Sequence, residues 1–236
     1  MNSDIPGGAT PGTGPVPGTD TARGRARSQE PGAARGRPRS QEPGAARGRP
    51  RSQEADRAIL SATVDLLAER GLDAITIEEI AARAGVGKAT IYRRWSSKGL
   101  LALDAFVASF RAQQPQPDTG TLRGDMLVTL NAWVRAVTQT PMGSMLTGLI
   151  AEAQHDPELR GAWRDRMLEP LRRQRRIMLE RAIDRGEIAP SVDQEVVLDL
   201  LFGAAEHRLL LGHLPMTDDF IADVVDVILA GIQRPD

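Results

Sequence analysis

The stretch Thr76–Lys98, TIEEIAARAGVGKATIYRRWSSK, decides how the rest of the chain is read. Its spacing predicts two short helices joined by a tight turn. Thr76 and Glu79 form a Thr-x-x-Glu capping box that opens the first helix. Ile77, Ile80, Ala81 and Ala84 fall at i, i+3, i+4 and i+7, which makes one buried face. Gly85-Val86-Gly87 breaks the helix, with Val86 packing inward. The second helix covers about Lys88–Trp95, and Ile91 and Trp95, four apart, point to the core. Lys88, Ala89, Thr90, Tyr92, Arg93 and Arg94 then lie on or near the outer surface. A helix laid across a partner, with basic, hydroxyl and aromatic groups outward, suits a DNA groove.

Each outward residue type has a reason to be there. Ala89 permits close approach. The hydroxyl of Thr90 bonds a base or phosphate, and its methyl can meet a thymine methyl. Tyr92, the only tyrosine of the chain, packs its ring on sugar and donates to phosphate. Lys88 sits at the positive end of the helix dipole, which favours a phosphate. Ser97 caps the following helix and places Lys98 in its first turn as a second phosphate contact. Thr76 and the backbone N–H of Gly87 complete the expected DNA-contacting set.

Upstream, a helix from about Glu54 to Arg70 carries the apolar stripe Ile59, Leu60, Val64, Leu66 and Leu67, and Gly71 stops it. Taken together, Ile59–Phe106, ILSATVDLLAERGLDAITIEEIAARAGVGKATIYRRWSSKGLLALDAF, resembles the N-terminal domain of the TetR family of bacterial transcriptional regulators. Helix lengths and turns stay in register over about 50 contiguous residues. Two departures are visible. Gly87 stands where many members carry Ser or Thr, so only its backbone can serve a phosphate. Arg94-Trp95 replaces the commoner His-Phe and keeps a charge beside an aromatic ring.

Ahead of this segment lies a tail of Gly, Pro, Thr and Asp followed by a twelve-residue repeat. Arg23–Ala34 reads RGRARSQEPGAA, Arg35–Ala46 reads RGRPRSQEPGAA, and Arg47–Glu54 reads RGRPRSQE. No unit has an apolar face, so the repeats cannot stack and the tail is expected to be disordered. Arg-Gly-Arg-Pro-Arg resembles an AT-hook core, whose arginines enter a narrow A·T-rich minor groove. Arg35, Arg37, Arg47, Arg49 and Arg51 are the expected arm residues, and the first copy is weaker because Ala26 replaces proline. Charge follows the same polarity. Residues 1–54 hold nine Arg against five acids, residues 55–110 balance seven against seven, and residues 111–236 hold 14 basic against 19 acidic side chains. A basic front and an acidic back orient a protein toward a polyanion.

After the loop QQPQPDT (Gln113–Thr119) the pattern is helical throughout: Leu122–Gln139, Met142–Gln154, Pro157–Arg185, Asp193–Leu211 and Asp218–Ile232. Pro170 should kink the third of these or start a new helix. The resemblance implies that this half encloses a small-molecule pocket whose filling moves the reading helices apart. Met126, Leu130, Trp133, Met145, Leu149, Trp163, Met167 and Phe202 are the expected lining, although each alone reads as ordinary core. The resemblance further implies that the last two helices pair with their copies in a homodimer, with Gly203, Ala204 and Ala205 allowing close approach. Two recognition helices on successive major grooves of a near-palindromic operator demand the same thing.

Other chemistries find little support. The chain has 236 residues, 41% hydrophobic, and no cysteine, which excludes a disulfide framework, Cys-ligated zinc and thiol catalysis and fits a cytoplasmic setting. No apolar run approaches the roughly 18 residues of a membrane span, and no secretory signal is visible. His155, His207 and His213 have no ligand partner at metal-binding spacing, and Walker, Rossmann and Gly-x-Ser-x-Gly patterns are missing. No metal, cofactor or catalytic residue is expected. The reading is an all-α regulator with three parts: a basic tail (1–53), a helix-turn-helix domain (54–110) and a helical effector and dimerisation domain (111–236). Its partners are double-stranded DNA, a second copy and an unknown small-molecule effector. The competing reading is an architectural, A·T-preferring DNA binder dominated by the repeats.

Overall fold

The structure, a computed structural model, describes residues 48–111 and 114–233, with side chains from residue 52. Among these residues there are ten α-helices and no strand. One isolated bridge ties Ile188 to Gln233. The helices are α1 (Gly48–Arg70), α2 (Ile77–Ala84), α3 (Lys88–Tyr92), α4 (Lys98–Arg111), α5 (Leu122–Gln139), α6 (Met142–His155), α7 (Pro157–Trp163), α8 (Glu169–Asp184), α9 (Gln194–Leu211) and α10 (Asp218–Ile232). The all-α expectation holds, and most ends agree with the sequence reading to within a residue.

Three boundaries differ, each for a stated reason. First, α1 begins six residues before Glu54 and takes in Arg49, Pro50 and Arg51. Proline is tolerated in a first turn because its missing N–H has no intrahelical acceptor there. Second, α3 ends at Tyr92, and Arg93 and Arg94 form the turn that leads to Trp95. Third, the expected Pro157–Arg185 helix is broken by a π-helical turn, Arg164–Leu168. Pro170 cannot donate to the carbonyl of Arg166 four residues back. The guanidinium of Arg111, at the end of α4, donates to that carbonyl instead. The Glu169 N–H bonds to Arg164 O, the wider i→i−5 spacing.

A continuous apolar core runs from α1 to α10 through α4, whose Leu101, Ala102, Leu103, Ala105 and Phe106 have no solvent exposure. The boundary expected at residue 110 therefore falls at the end of a helix that both halves share. One buried acid organises the far side. Asp125 of α5 is fully enclosed and accepts from Thr119 N (2.7 Å) and Thr119 Oγ1 (2.9 Å), while Arg181 of α8 lies 3.4 Å from its second oxygen. Arg181 also reaches Asp118 at 3.2 Å, so the segment before α5 is pinned onto α8.

Candidate nucleic-acid interface and effector cavity

The reading head is built by local rules. Thr76 caps α2: its hydroxyl accepts from Glu79 N, and the Glu79 carboxylate takes the Thr76 N–H at 2.9 Å. Gly85 turns the chain at φ 67°, a left-handed conformation that favours glycine. The Val86 N–H then bonds back to Ala81 O at 3.0 Å, which closes the helix end. Gly87 sits at φ −77°, so it is not needed for backbone freedom, and it supplies no side-chain cap to α3. Ile77, Ile80, Ala81, Ile91 and Trp95 are buried as expected, and Val86 packs against the core.

On the outer face of α3 and the turn after it, Lys88, Ala89, Tyr92 and Arg93 are exposed and Thr90 is half-exposed. Tyr92 shows 55% of its surface. That exposure leaves its ring and hydroxyl open to a partner beside Lys88 and Arg93. Lys88 is not free: its ammonium sits 2.6 Å from Glu78, and that hydrogen bond holds the Glu78 carboxyl below its ordinary value. A phosphate must compete with Glu78 for it.

Two of the expected contacts face inward. Arg94 turns away from the outer surface, with 18% of its side chain exposed, and pairs with Asp56 of α1. It also donates to Thr90 O and Ser52 Oγ, each at 3.0 Å, so it clamps the end of α3 onto α1. Lys98 donates to the carbonyls of Leu72 (2.7 Å) and Ile75 (3.1 Å) and holds the α1–α2 loop against α4. Unpaired carbonyls at a helix end draw a lysine more strongly than solvent does. The hydroxyl of Thr76 is likewise engaged in its capping box. Of the arm residues, Arg49 and Arg51 lie in the first turn of α1. Arg35, Arg37 and Arg47 fall outside the described residues.

A second site lies in the C-terminal half. A cavity of about 320 Å³ opens between α6, α7, α8 and α9, walled by Ile150, Trp163, Leu168, Leu198 and Phe202. Arg160, Arg172, Arg175, Asp199 and Glu206 bring charge to it. Only Trp163 and Phe202 of the eight expected residues line it. Met126, Leu130, Trp133, Met145, Leu149 and Met167 are packed core, each 5% exposed or less. Trp133 stands behind the lining, edge-on to Phe202 at 6.2 Å between ring centres. The sequence reading missed the arginines. The signal was available: Leu171, Arg175, Met178 and Leu179 share one face of α8, so an arginine interrupts a buried stripe.

The two sites are joined by named contacts. Asp104 on α4 accepts from Trp95 Nε1, just after α3, at 2.9 Å. Its other oxygen takes Arg166 of the π turn at 3.0 Å. Of the cavity residues, Trp163 precedes that turn and Leu168 ends it, and Trp163 stacks 6.0 Å from Phe106 of α4. Ser96 reaches Glu158 of α7 at 3.3 Å.

A third feature is an apolar groove of about 540 Å³ between α9 and α10, lined by Leu200, Ala204, Phe220, Val224, Val227 and Ile228. Leu200 is 54% and Val227 74% exposed. Gly203, Ala204 and Ala205 do not act together as expected. Successive helix positions point about 100° apart, so Gly203 faces the cavity, Ala204 the groove and Ala205 the core. Among the described residues no cluster of three metal-ligating side chains occurs, and no helix is long and apolar enough to cross a membrane.

Comparison with known proteins agrees with this architecture. Residues 59–105 match the family model described as bacterial regulatory proteins, tetR family, and residues 116–228 match the tetracyclin repressor-like C-terminal domain. The HTH-type transcriptional regulator YdeS of Bacillus subtilis is 38% identical over 177 residues, 75% of this chain and 89% of its own. The DNA-binding transcriptional repressor TetR of Mycobacteroides abscessus is 36% identical over 181 residues, 75% of this chain and 93% of its own. Among solved structures, the TetR family transcription regulator SCO0332 is 38% identical with a TM-score of 0.68, covering 77% of this chain and all of that one. None of these supports the architectural alternative.

Proposed function

Because the chain belongs to the TetR family and is a DNA-binding transcriptional regulator built like the family's repressors, we propose that it works as a homodimer released from its operator by a small molecule. Each protomer reads a half-site with Lys88, Ala89, Thr90, Tyr92 and Arg93, and the Gly87 N–H meets a phosphate. Arg94 and Lys98 act one step back by fixing the angle of α3. Dimerisation uses the apolar groove with the exposed Leu200 of α9 and Val227 of α10, and the family's dimeric habit supports this. The 1–53 tail adds a minor-groove grip through Arg35, Arg37 and Arg47, and the protein acts in the cytoplasm on the nucleoid.

One observation carries the ligand-released reading. The Trp95–Asp104–Arg166 chain of contacts leads from the base of α3 to the π turn that borders the cavity. A π turn is a helix held off its preferred spacing, and such turns recur at functional sites. A ligand against Trp163 and Leu168 shifts the turn, and Asp104 passes the shift to Trp95.

The test is genomic footprinting of the full chain, followed by transcript measurement beside the protected site in a strain lacking the gene. A repressor predicts a near-palindromic footprint and a rise in the neighbouring transcript. A fall in that transcript contradicts repression. Light scattering at about twice 25.5 kDa checks the dimer.

A further inference from the structure

The arginines of α8 are not equivalent. Arg172 is neutralised by Glu195 and Asp199, each at 2.6 Å, and Arg176 pairs with Glu195. Arg175, on the same helix, has no acidic group within ion-pair distance among the described residues. Its guanidinium carbon lies 3.6 Å from the centre of the Phe202 ring. Among the described residues its one hydrogen bond is a long 3.4 Å contact to Gln114 Oε1. The Gln114 amide nitrogen is itself buried without a partner, so this corner is short of acceptors. Stacking on Phe202 occupies one face of the guanidinium and leaves its in-plane N–H donors without an anion. Leaving such a charge dry and unpaired is costly unless something completes it.

Glu206 lines the same cavity but makes no ion pair with Arg175. Burial pulls the Arg175 pKa down to about 10, so it stays cationic at neutral pH, and burial pushes the Glu206 carboxyl up. Trp163, Phe202, Ile150 and Leu198 form an apolar, partly flat section of the wall, and Gln154, Arg160, Arg172 and Asp199 make the rest of it polar. The volume, about 320 Å³, is at the small end of ligand pockets (~300–1,000 Å³).

We infer that the effector is a small organic monocarboxylate with a flat or short apolar body, its carboxylate seated on Arg175 and its body between Trp163 and Phe202. The inference rests on the ligand-released reading above and narrows it to a chemical class. Arg172 is already neutralised and Arg160 lies exposed, so the covered, acid-free guanidinium of Arg175 matches one negative charge, and Glu206 on the same wall opposes a dianion such as a phosphate ester.

Calorimetry and tryptophan fluorescence on the full chain test it, with 2-naphthoate, 4-phenylbenzoate and octanoate each set against its neutral primary amide. At least one acid should bind, and its amide about tenfold more weakly or worse, the value of one charge-assisted hydrogen bond. Arg175→Met keeps the packing on Phe202 and should cost the acid about tenfold while leaving the amide unchanged. Glu206→Gln should bind the acid as tightly as the unaltered chain or tighter. Equal binding of acid and amide overturns the inference, and so does unchanged acid binding by Arg175→Met. It falls as well if none of the three acids binds below about 1 mM. Should Arg175→Met fail to fold, the acid-against-amide comparison on the unaltered chain still decides. Acid binding through Arg175 that leaves DNA occupancy unmoved sinks the ligand-released reading and spares the ligand class. Release of DNA by a neutral compound alone does the reverse.

Discussion

The reading head and the effector half handle charge in opposite ways. In the head, apart from the partly covered Arg94–Asp56 pair, ion pairs lie on the surface and bind neighbouring elements: Arg70 with Glu79, Arg83 with Glu69, and Lys88 with Glu78, each at 2.6 Å. Exposed pairs contribute little stability and exchange readily, so a phosphate can displace Glu78 without disturbing the fold. In the effector half, charge goes inside. Asp125 is enclosed, Arg172 is largely covered, and Arg175 is desolvated without an acid. The head is a finished surface waiting for a polyanion to exchange with. The effector half is an unfinished interior that a ligand completes. α4 is buried in both and carries Asp104, the residue that touches each side.

Substitutions can break or sharpen this contrast. The largest effect is expected at the dimer face. Leu200→Asp with Val227→Asp places charge on side chains already more than half exposed, so each protomer should still fold. Operator affinity should fall roughly 10²–10⁴-fold as bivalent binding is lost, read by fluorescence anisotropy alongside a halved mass in light scattering. Next comes the interior charge. Asp125→Ala leaves the Thr119 N–H without its acceptor and strips the one buried carboxylate from Arg181, which keeps Asp118 and Pro117 O, and should cost about 2–4 kcal/mol in chemical denaturation. A loss under about 1 kcal/mol places Asp125 among the surface pairs and breaks the contrast.

Smaller effects sharpen it. Asp104→Asn retains an acceptor for Trp95 but removes the charge that holds Arg166. DNA affinity without effector should change by no more than about threefold, within the range of a half-exposed pair. The response to an effector should shrink, which titration with ligand and labelled operator will show. Smallest of all, Glu78→Gln frees Lys88 for phosphate and should tighten DNA binding about twofold at low salt, fading as salt rises. The Glu78 pKa is lowered, so the pair is present above the ordinary carboxylate value of 4.5 and is lost only as pH falls below it. The gain should therefore be flat between about pH 6 and pH 8.

Legibility divided along the same line. The capping box, the Gly85 turn, the Ile91–Trp95 face and the ends of α5 and α10 follow from residues within one or two helical turns of each other. All were readable from spacing. The site residues depended on partners far away in the chain. Arg94 lies 42 residues from the Ser52 it binds, and Lys98 lies 26 from Leu72. Nothing local told these cations from Arg93, which stays outside. The cavity was read from hydrophobicity, yet its distinguishing residues are arginines and an acid that the fold brings together from α8 and α9. The methionines chosen for adaptability fill gaps in the core instead. Pro170 reads as a kink or a helix start and does open α8, but the π turn before it depends on Arg111 of α4 as a substitute donor, which spacing does not show.

The central claim is that Tyr92, at the end of a five-residue helix, and Arg93, in the turn after it, read operator sequence. Footprinting and anisotropy of the full chain on its own genomic site, compared with a scrambled duplex, test it most directly. Tyr92→Ala and Arg93→Ala should each lower specific affinity about 10–100-fold and leave scrambled-duplex binding within about threefold. An unchanged footprint in both variants, or equal losses on both duplexes, contradicts the account.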